Sequence, residues 1–230
     1  MNSISPILFF FFISLGISAQ SSNLIFSNAA DYPEDRYLEY SGSPYYFDKW
    51  VFADVYDHNG DIFEWMVVNY NIHEKVFEIR NGNKYIVVDP YFYWCVKVYK
   101  EDNGIHLKDF QDSILFIRGL MPDDEEKFVN VIYNGTHIKF LRDMQITKSV
   151  KTFHNIGQPK ANKIFHRKDF YYLVINGEYK KIKFDKDDLI KVFGHKDELE
   201  KWLVDNNNTL KKDQEFSDFI EYVESTFYVN

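Results

Sequence analysis

The sequence predicts an α+β fold that is mainly β: an antiparallel hairpin meander, forming an open twisted sheet or a partial barrel, with two to three short C-terminal helices packed on it. Three observations lead there. Five Asn-Gly pairs, at Asn59-Gly60, Asn81-Gly82, Asn103-Gly104, Asn134-Gly135 and Asn176-Gly177, separate segments rich in Val, Ile, Tyr, Phe and Trp. Asn and Gly both tolerate positive φ, which a type I′ hairpin turn needs at its two central positions. After Phe184 the apolar period changes from 2 to about 3.6, the helical value. Aromatic residues make up 19% of the chain, with 17 Tyr and 22 Phe, enough for a large core and for an interaction face besides.

In chain order, the first element is an address. Residues from Ile7 to Ile17 are almost wholly apolar, with Phe9 to Phe12 consecutive, and they end at Ser18-Ala19 before polar Gln20-Ser21-Ser22. This reads as a secretory signal peptide, residues 1–19, cleaved after Ala19; the run is about half the ~20 residues of a spanning helix. A short extension, 20–40, reads as irregular and precedes a single β-rich domain, 41–230, with a helical tail from about 186. The lone Cys95 permits no intramolecular disulfide, and no Cys stands at the cleavage point for lipid attachment, so a periplasmic or secreted product without stable membrane insertion is expected.

The hairpin registers follow from two-residue loops. Around Asn59-Gly60 they pair Tyr56 with Phe63, Ala53 with Met66, Phe52 with Val67 and Val51 with Val68, with apolar content on both faces, as in a central ribbon. Around Asn81-Gly82 they pair Phe77 with Ile86 and Val76 with Val87. A three-residue loop at Asn103-Gly104 pairs Tyr99 with Leu107, Lys97 with Asp109 and Val96 with Phe110. At Asn134-Gly135, Tyr133 is set against Thr136, Val131 against Ile138 and Val129 against Phe140. The last hairpin sets Tyr172 against Lys181 and Tyr171 against Ile182, half exposed. Two segments interrupt the strands: acidic Met121 to Glu126, a loop or single helical turn, and Thr152 to Lys163, a long loop.

Asp185 or Asp187 is placed to cap a helix carrying Leu189, Ile190 and Phe193, which Gly194 stops. A second helix, Lys196 to Val204, gathers Leu199, Trp202 and Leu203 on one side. In a third, from Asp213, Phe216, Phe219, Ile220, Val223 and Phe227 form one stripe that needs a partner surface.

The words Tyr171-Tyr172-Leu173, Lys180-Lys181, Asp188-Leu189-Ile190-Lys191-Val192-Phe193, Lys196-Asp197-Glu198-Leu199 and Phe219-Ile220-Glu221-Tyr222 resemble the tail of uncharacterised exported proteins of the Bacteroidota. Gly42-Ser43-Pro44-Tyr45-Tyr46 and Asn69-Tyr70-Asn71 resemble the opening of their mature region. The resemblance implies a β-rich body with a helical tail and an envelope location. It brings no assigned activity and no functional residue.

Chemistry is sparsely signposted. With 35 acidic against 27 basic residues the net charge is -8, which opposes nucleic-acid binding. The sequence has no Gly-x-Ser-x-Gly, phosphate loop, His-Glu-x-x-His or Cys pair, so no catalytic residue, metal or cofactor is assigned. Asp57-His58-Asn59-Gly60-Asp61 has calcium-like oxygen spacing but reads as an Asx-rich turn. Cys95 reads as core. In Pro90-Tyr91-Phe92-Tyr93-Trp94, a strand would aim Tyr91 and Tyr93 to one side and Phe92 and Trp94 to the other. The two tyrosines are the candidate ligand-binding residues, against the simpler reading that the run is buried on both sides. The expected function is a non-catalytic binding module of the cell envelope, taking an envelope protein or surface glycan; the alternative is a secreted hydrolase of glycan or peptide.

Overall fold

The computed structural model describes residues 36–82, 84–99, 113–153 and 160–228. The signal segment, most of the extension and the Asn103-Gly104 loop lie outside them. Strands are β1 (Tyr40–Ser41), β2 (Val51–Asp57), β3 (Ile62–Asn71), β4 (Val76–Asn81), β5 (Lys84–Val88), β6 (Tyr93–Tyr99), β7 (Ser113–Arg118), β8 (Phe128–Asn134), β9 (Ile138–Phe153), β10 (Lys160–Ile175) and β11 (Glu178–Ile182). Helices α1 (Lys186–Phe193), α2 (Lys196–Asp205) and α3 (Asp213–Phe227) follow. The fold is α+β and mainly β. One open sheet runs β1-β10-β9-β8-β7-β6-β2-β3-β4-β5, with β11 beside β1 on the same edge of β10 and only β1 parallel to its neighbour.

The meander has one return. After β5 the chain comes back so that β6 pairs with β2, which makes the β2–β3 ribbon central, as its two-sided apolar content demands. The sheet also curls. Phe77 on β4 meets Phe116 on β7 with ring centroids 4.9 Å apart, although four strand spacings, about 19 Å in a flat sheet, separate them. Tyr70, Phe77, Phe116 and Phe128 fill the hollow, and the Tyr70 hydroxyl donates to the Phe128 carbonyl at 3.0 Å. The segment before β2 crosses the opening: Tyr46 bonds the backbone of Tyr70 and the side chain of Arg142, while Tyr37 and Tyr40 pack on Phe165. Buried Glu78 holds its far end by accepting from Arg36, Tyr45 and Asn71.

The tail matches its sequence signals closely. Asp185 caps α1 by accepting from the Asp188 N–H at 2.9 Å, and Gly194 ends it at φ +73°. The stripe of α3 packs, with α1 and α2, on Ile138, Phe140, Leu173 and Ile182 of the sheet. Phe216 stacks on Phe184 at 3.8 Å between centroids and on Phe140 at 5.6 Å.

The Asn-Gly turns split by neighbourhood. At Asn176-Gly177 both residues take positive φ, 49° and 86°, and the expected pairs Tyr171–Ile182 and Tyr172–Lys181 form. Around Asn59-Gly60 the outer pairs hold, but Tyr56 faces Ile62 instead of Phe63, because β3 has a bulge and Asp57 pairs across the turn with Asp61. At the second turn Asn81 faces Lys84 and Phe77 faces Val88 instead of Ile86. Val96, Lys97 and Tyr99 pair with Phe116, Leu115 and Ser113 of β7, correcting the partners Phe110, Asp109 and Leu107. Thr152–Lys163 is only partly loop, since β9 runs to Phe153 and β10 starts at Lys160. The 16-residue β9 and β10 also exceed the short strands the turn spacing suggests.

Asn134-Gly135 departs furthest. Asn134 faces Lys139, Tyr133 faces Phe140 and Val131 faces Leu141, leaving a four-residue loop, 135–138, and a bulge between Val131 and Tyr133. The cause is Glu224 on α3. Its carboxylate accepts from the Tyr133 hydroxyl, the His137 N–H and, at 3.0 Å, the Ile138 N–H, bonds that a two-residue loop cannot offer. Gly135 does not have positive φ; a Cβ there would collide with the Glu224 carboxylate. Burial alone would raise the Glu224 pKa, but the three donors together outweigh it and hold it below the usual 4.5.

Gly135→Ala is therefore expected to cost about 1–3 kcal/mol by overpacking. Urea denaturation should show that cost shrink in a Glu224→Ala background, where the collision is gone. Gly177→Ala, with φ of +86° and nothing within 4 Å, should cost about 1–2 kcal/mol in either background. Because the folded Glu224 pKa is depressed, its contribution is present above the unfolded value and lost as pH falls through the folded one. The stability gap between wild type and Glu224→Gln should accordingly narrow below about pH 4.5.

Candidate functional site

The β2 strand alternates sharply. Val51, Ala53 and Val55 point into the curled core, so Phe52, Asp54 and Tyr56 lie on the convex side. On β6, Val96 and Val98 are core, which gives Cys95, Lys97 and Tyr99 to the same convex face. Two bulges interrupt the ladders on either side of β2, and each holds a tryptophan. Glu64 and Trp65 together oppose the single Asp54 between the pairs Ala53–Met66 and Val55–Phe63; Trp94 is the extra residue between Tyr56–Cys95 and Asp57–Tyr93. A bulge re-aims a side chain that strict alternation would place elsewhere.

Trp65 sits at φ +59°, a left-handed conformation unfavourable for a bulky L-residue. Asp54 holds it there, its Oδ1 accepting the Trp65 N–H at 3.1 Å while Oδ2 accepts the Tyr99 hydroxyl. The Tyr99 pKa is raised, first by burial and then by that bond and the Asp54 charge. The Trp65 ring stacks on Tyr99, 5.4 Å between centroids at 26°, and meets Phe52 edge-on at 6.1 Å. Across β2, Trp94 tilts against Tyr56 at 6.3 Å and anchors its indole N–H on the Asp57 carbonyl at 2.9 Å. Trp94 is 37% exposed; Tyr56, Trp65 and Tyr99 are half-buried. The arrangement is a shallow aromatic platform built over one buried carboxylate whose two oxygens are both engaged, and it is able to stack on a flat or puckered ring.

The predicted pair does not form a platform of its own. Asp89-Pro90 starts a turn: the Tyr91 N–H donates to the Asp89 side chain, and the Phe92 and Tyr93 N–H groups both donate to its carbonyl. The strand starts only at Tyr93. Tyr91 is 74% exposed, whereas Tyr93 is 3% exposed and packs edge-on against Phe63. Their side chains part because the alternation assumed for 91–94 does not begin until the turn is over. Trp94, expected on the same side as Phe92, is turned outward by its bulge, and Phe92 is half-buried.

Asp57 organises its turn, its Oδ1 accepting from the Asn59 and Asp61 N–H groups at 2.9 and 2.8 Å. Among the described residues no group of three or more His, Cys, Asp or Glu side chains could hold a metal ion. Cys95 is buried, and burial pushes its thiol up to about 12, far from a reactive thiolate. No helix of the described residues is long and apolar enough to cross a membrane.

No family model, curated protein or solved structure matches this chain.

Sequence reasoning identified the aromatic run on β6 but missed Tyr56, Trp65 and Tyr99. The alternation Phe52-Asp54-Tyr56 was a usable signal for the β2 part; neither bulge is visible before the strands pair. Tyr93→Ala should lower stability by about 3 kcal/mol or more, as for a buried aromatic. Tyr91→Ala should stay within about 0.5 kcal/mol, read by thermal and urea melts of both variants.

Proposed function

We propose that this is an exported, non-catalytic binding protein of the cell envelope, and that the convex aromatic platform of β2, β3 and β6 takes up a surface glycan. The observation that carries the reading is the pair of bulges, each spending ladder pairing and, at Trp65, backbone strain to turn a tryptophan outward beside the same strand. Strain of this kind persists only where surrounding structure over-determines it, and it concentrates at ligand clamps. A pyranose presents an apolar face of axial C–H groups that stacks on indole and phenol rings. The apolar run from Ile7 to Ile17 ending at Ser18-Ala19, with the resemblance of the chain to exported proteins, supports the envelope location.

Screening the purified protein on a glycan array, followed by calorimetry with the best hit, tests the proposal. Trp94→Ala and Tyr56→Ala should each weaken binding about tenfold or more with only a modest change in melting temperature, because surface aromatic anchors, even half-buried ones, contribute more to recognition than to folding. Affinity unmoved by both substitutions would rule the platform out. Export is checked by N-terminal sequencing of the product, expected to start at Gln20.

A further inference from the structure

The convex face carries aromatic rings beyond the platform. Trp50 immediately precedes β2 and continues its alternation: Val51 points into the core, so Trp50 falls on the side of Phe52, Asp54 and Tyr56. Its approach is fixed by Asn69 of β3, a buried side chain that accepts the Phe47 N–H at 3.2 Å and donates to the Phe47 and Lys49 carbonyls at 3.0 and 3.3 Å. On β5, Ile86 and Val88 are core, which turns Tyr85 to the opposite side, where Trp50 stacks on it with centroids 5.1 Å apart at 6°. Tyr85 is 9% exposed and Trp50 half-buried, so the indole is the ring of that pair that meets solvent.

Rings therefore stand at successive stations along one strand. Trp50 with Tyr85 is the first, Phe52 with Trp65 and Tyr99 the second, and Tyr56 with Trp94 the third. From Trp50 to Tyr56 the strand rises roughly 20 Å. The row is longer than any single sugar ring, and it lies on a convex surface, without the enclosing walls by which a pocket reads one small ligand from several sides. Charge bears on the ligand as well. Glu64 is exposed beside Trp65, both oxygens of Asp54 are engaged within the protein, and the whole chain carries a net charge of -8. Lys97 is a cation on this face, half-buried, with its ammonium 6.0 Å from the centroid of the Tyr99 ring.

We infer that this face binds the interior of an extended, uncharged polysaccharide chain with equatorial linkages, laid along β2 so that successive pyranoses stack on the row of rings. The inference rests on the glycan reading of the platform and specifies its ligand. Equatorial linkages keep a chain straight and its pyranose faces flat, which suits a row of rings on an open surface, whereas axial linkages coil the chain and call for a concave groove. Stations in series on one ligand act as linked sites, so affinity accumulates with each ring engaged. Uronate or sulfated chains would bring their charges against an acidic protein and beside Glu64.

Isothermal titration calorimetry of the full chain against oligosaccharides of cellulose, xylan and mannan, from disaccharide to hexasaccharide, provides the test. In at least one series affinity should rise about tenfold or more from the shortest member to the longest, while polygalacturonate should not bind. Trp50→Ala and Trp94→Ala, which remove the outer rings of the row, should each lower the hexasaccharide affinity about fivefold or more and flatten its dependence on length. Equal affinity for disaccharide and hexasaccharide, or a hexasaccharide affinity insensitive to Trp50→Ala, would reduce the site to a platform for a single sugar and overturn the inference, leaving the glycan reading in place. So would capture of a branched or anionic glycan on the array with no binding in these series. Failure on the array and in every series alike removes the glycan reading itself, and the inference with it. The length series uses the unmodified protein, so a variant that fails to fold leaves the test intact.

Discussion

The docking of Glu224 on the β8–β9 turn is the interaction on which the two layers of this protein depend. A carboxylate in the last turns of a helix faces the negative end of the helix dipole, and burial makes the charge costlier still. It is tolerated because three donors from the sheet converge on it. Those donors exist only if the turn spans four residues and Gly135 has no side chain, so a single carboxylate selects the loop length, the bulge in β8 and the register of Phe140. Phe140 in turn stacks on Phe216, and with it the α3 stripe meets the sheet.

On the other side of the molecule the constraint is curvature. An open sheet must bury its apolar face on something, and where α1 to α3 do not reach, β2 to β8 bury it on one another by coiling. Large aromatics make this possible, because Tyr70, Phe77, Phe116 and Phe128 span a hollow that aliphatic side chains would leave underfilled. The seam left by incomplete closure is covered by the segment from Arg36 to Trp50, secured by Glu78 at one end and by Arg142 at the other. Arg142 bonds Tyr46, Asn130 and Asp213 together, so it ties the cover, the sheet and the start of α3. A buried cation with this many partners is costly to remove, since buried Asn130 above all would be left without its partner.

The described ladders are interrupted at three bulges: two flank β2 under the convex aromatic platform, and one lies in β8 beside Glu224. The first two turn tryptophans outward, and the third lets the β8–β9 turn present its donors to a carboxylate.

The sequence by itself determined the elements whose causes are local. Asp185 and Gly194 bounded α1, the stripe from Phe216 to Phe227 marked α3, and the Asn176-Gly177 turn, whose bonds to His137 do not oppose its backbone preference, adopted the register that preference dictates. Tertiary structure decided everything that rests on a group far away in the chain. Gly135 reads as a turn residue chosen for positive φ, and is in fact space left for a carboxylate nearly ninety residues later. The separation of Tyr91 from Tyr93 depends on where Asp89 ends its turn, and the outward aim of Trp65 and Trp94 depends on bulges that exist only once β2 has neighbours on both sides. Local preferences differ by about a kcal/mol, and a buried carboxylate or a mispacked aromatic is worth several, so where the two compete the distant partner wins.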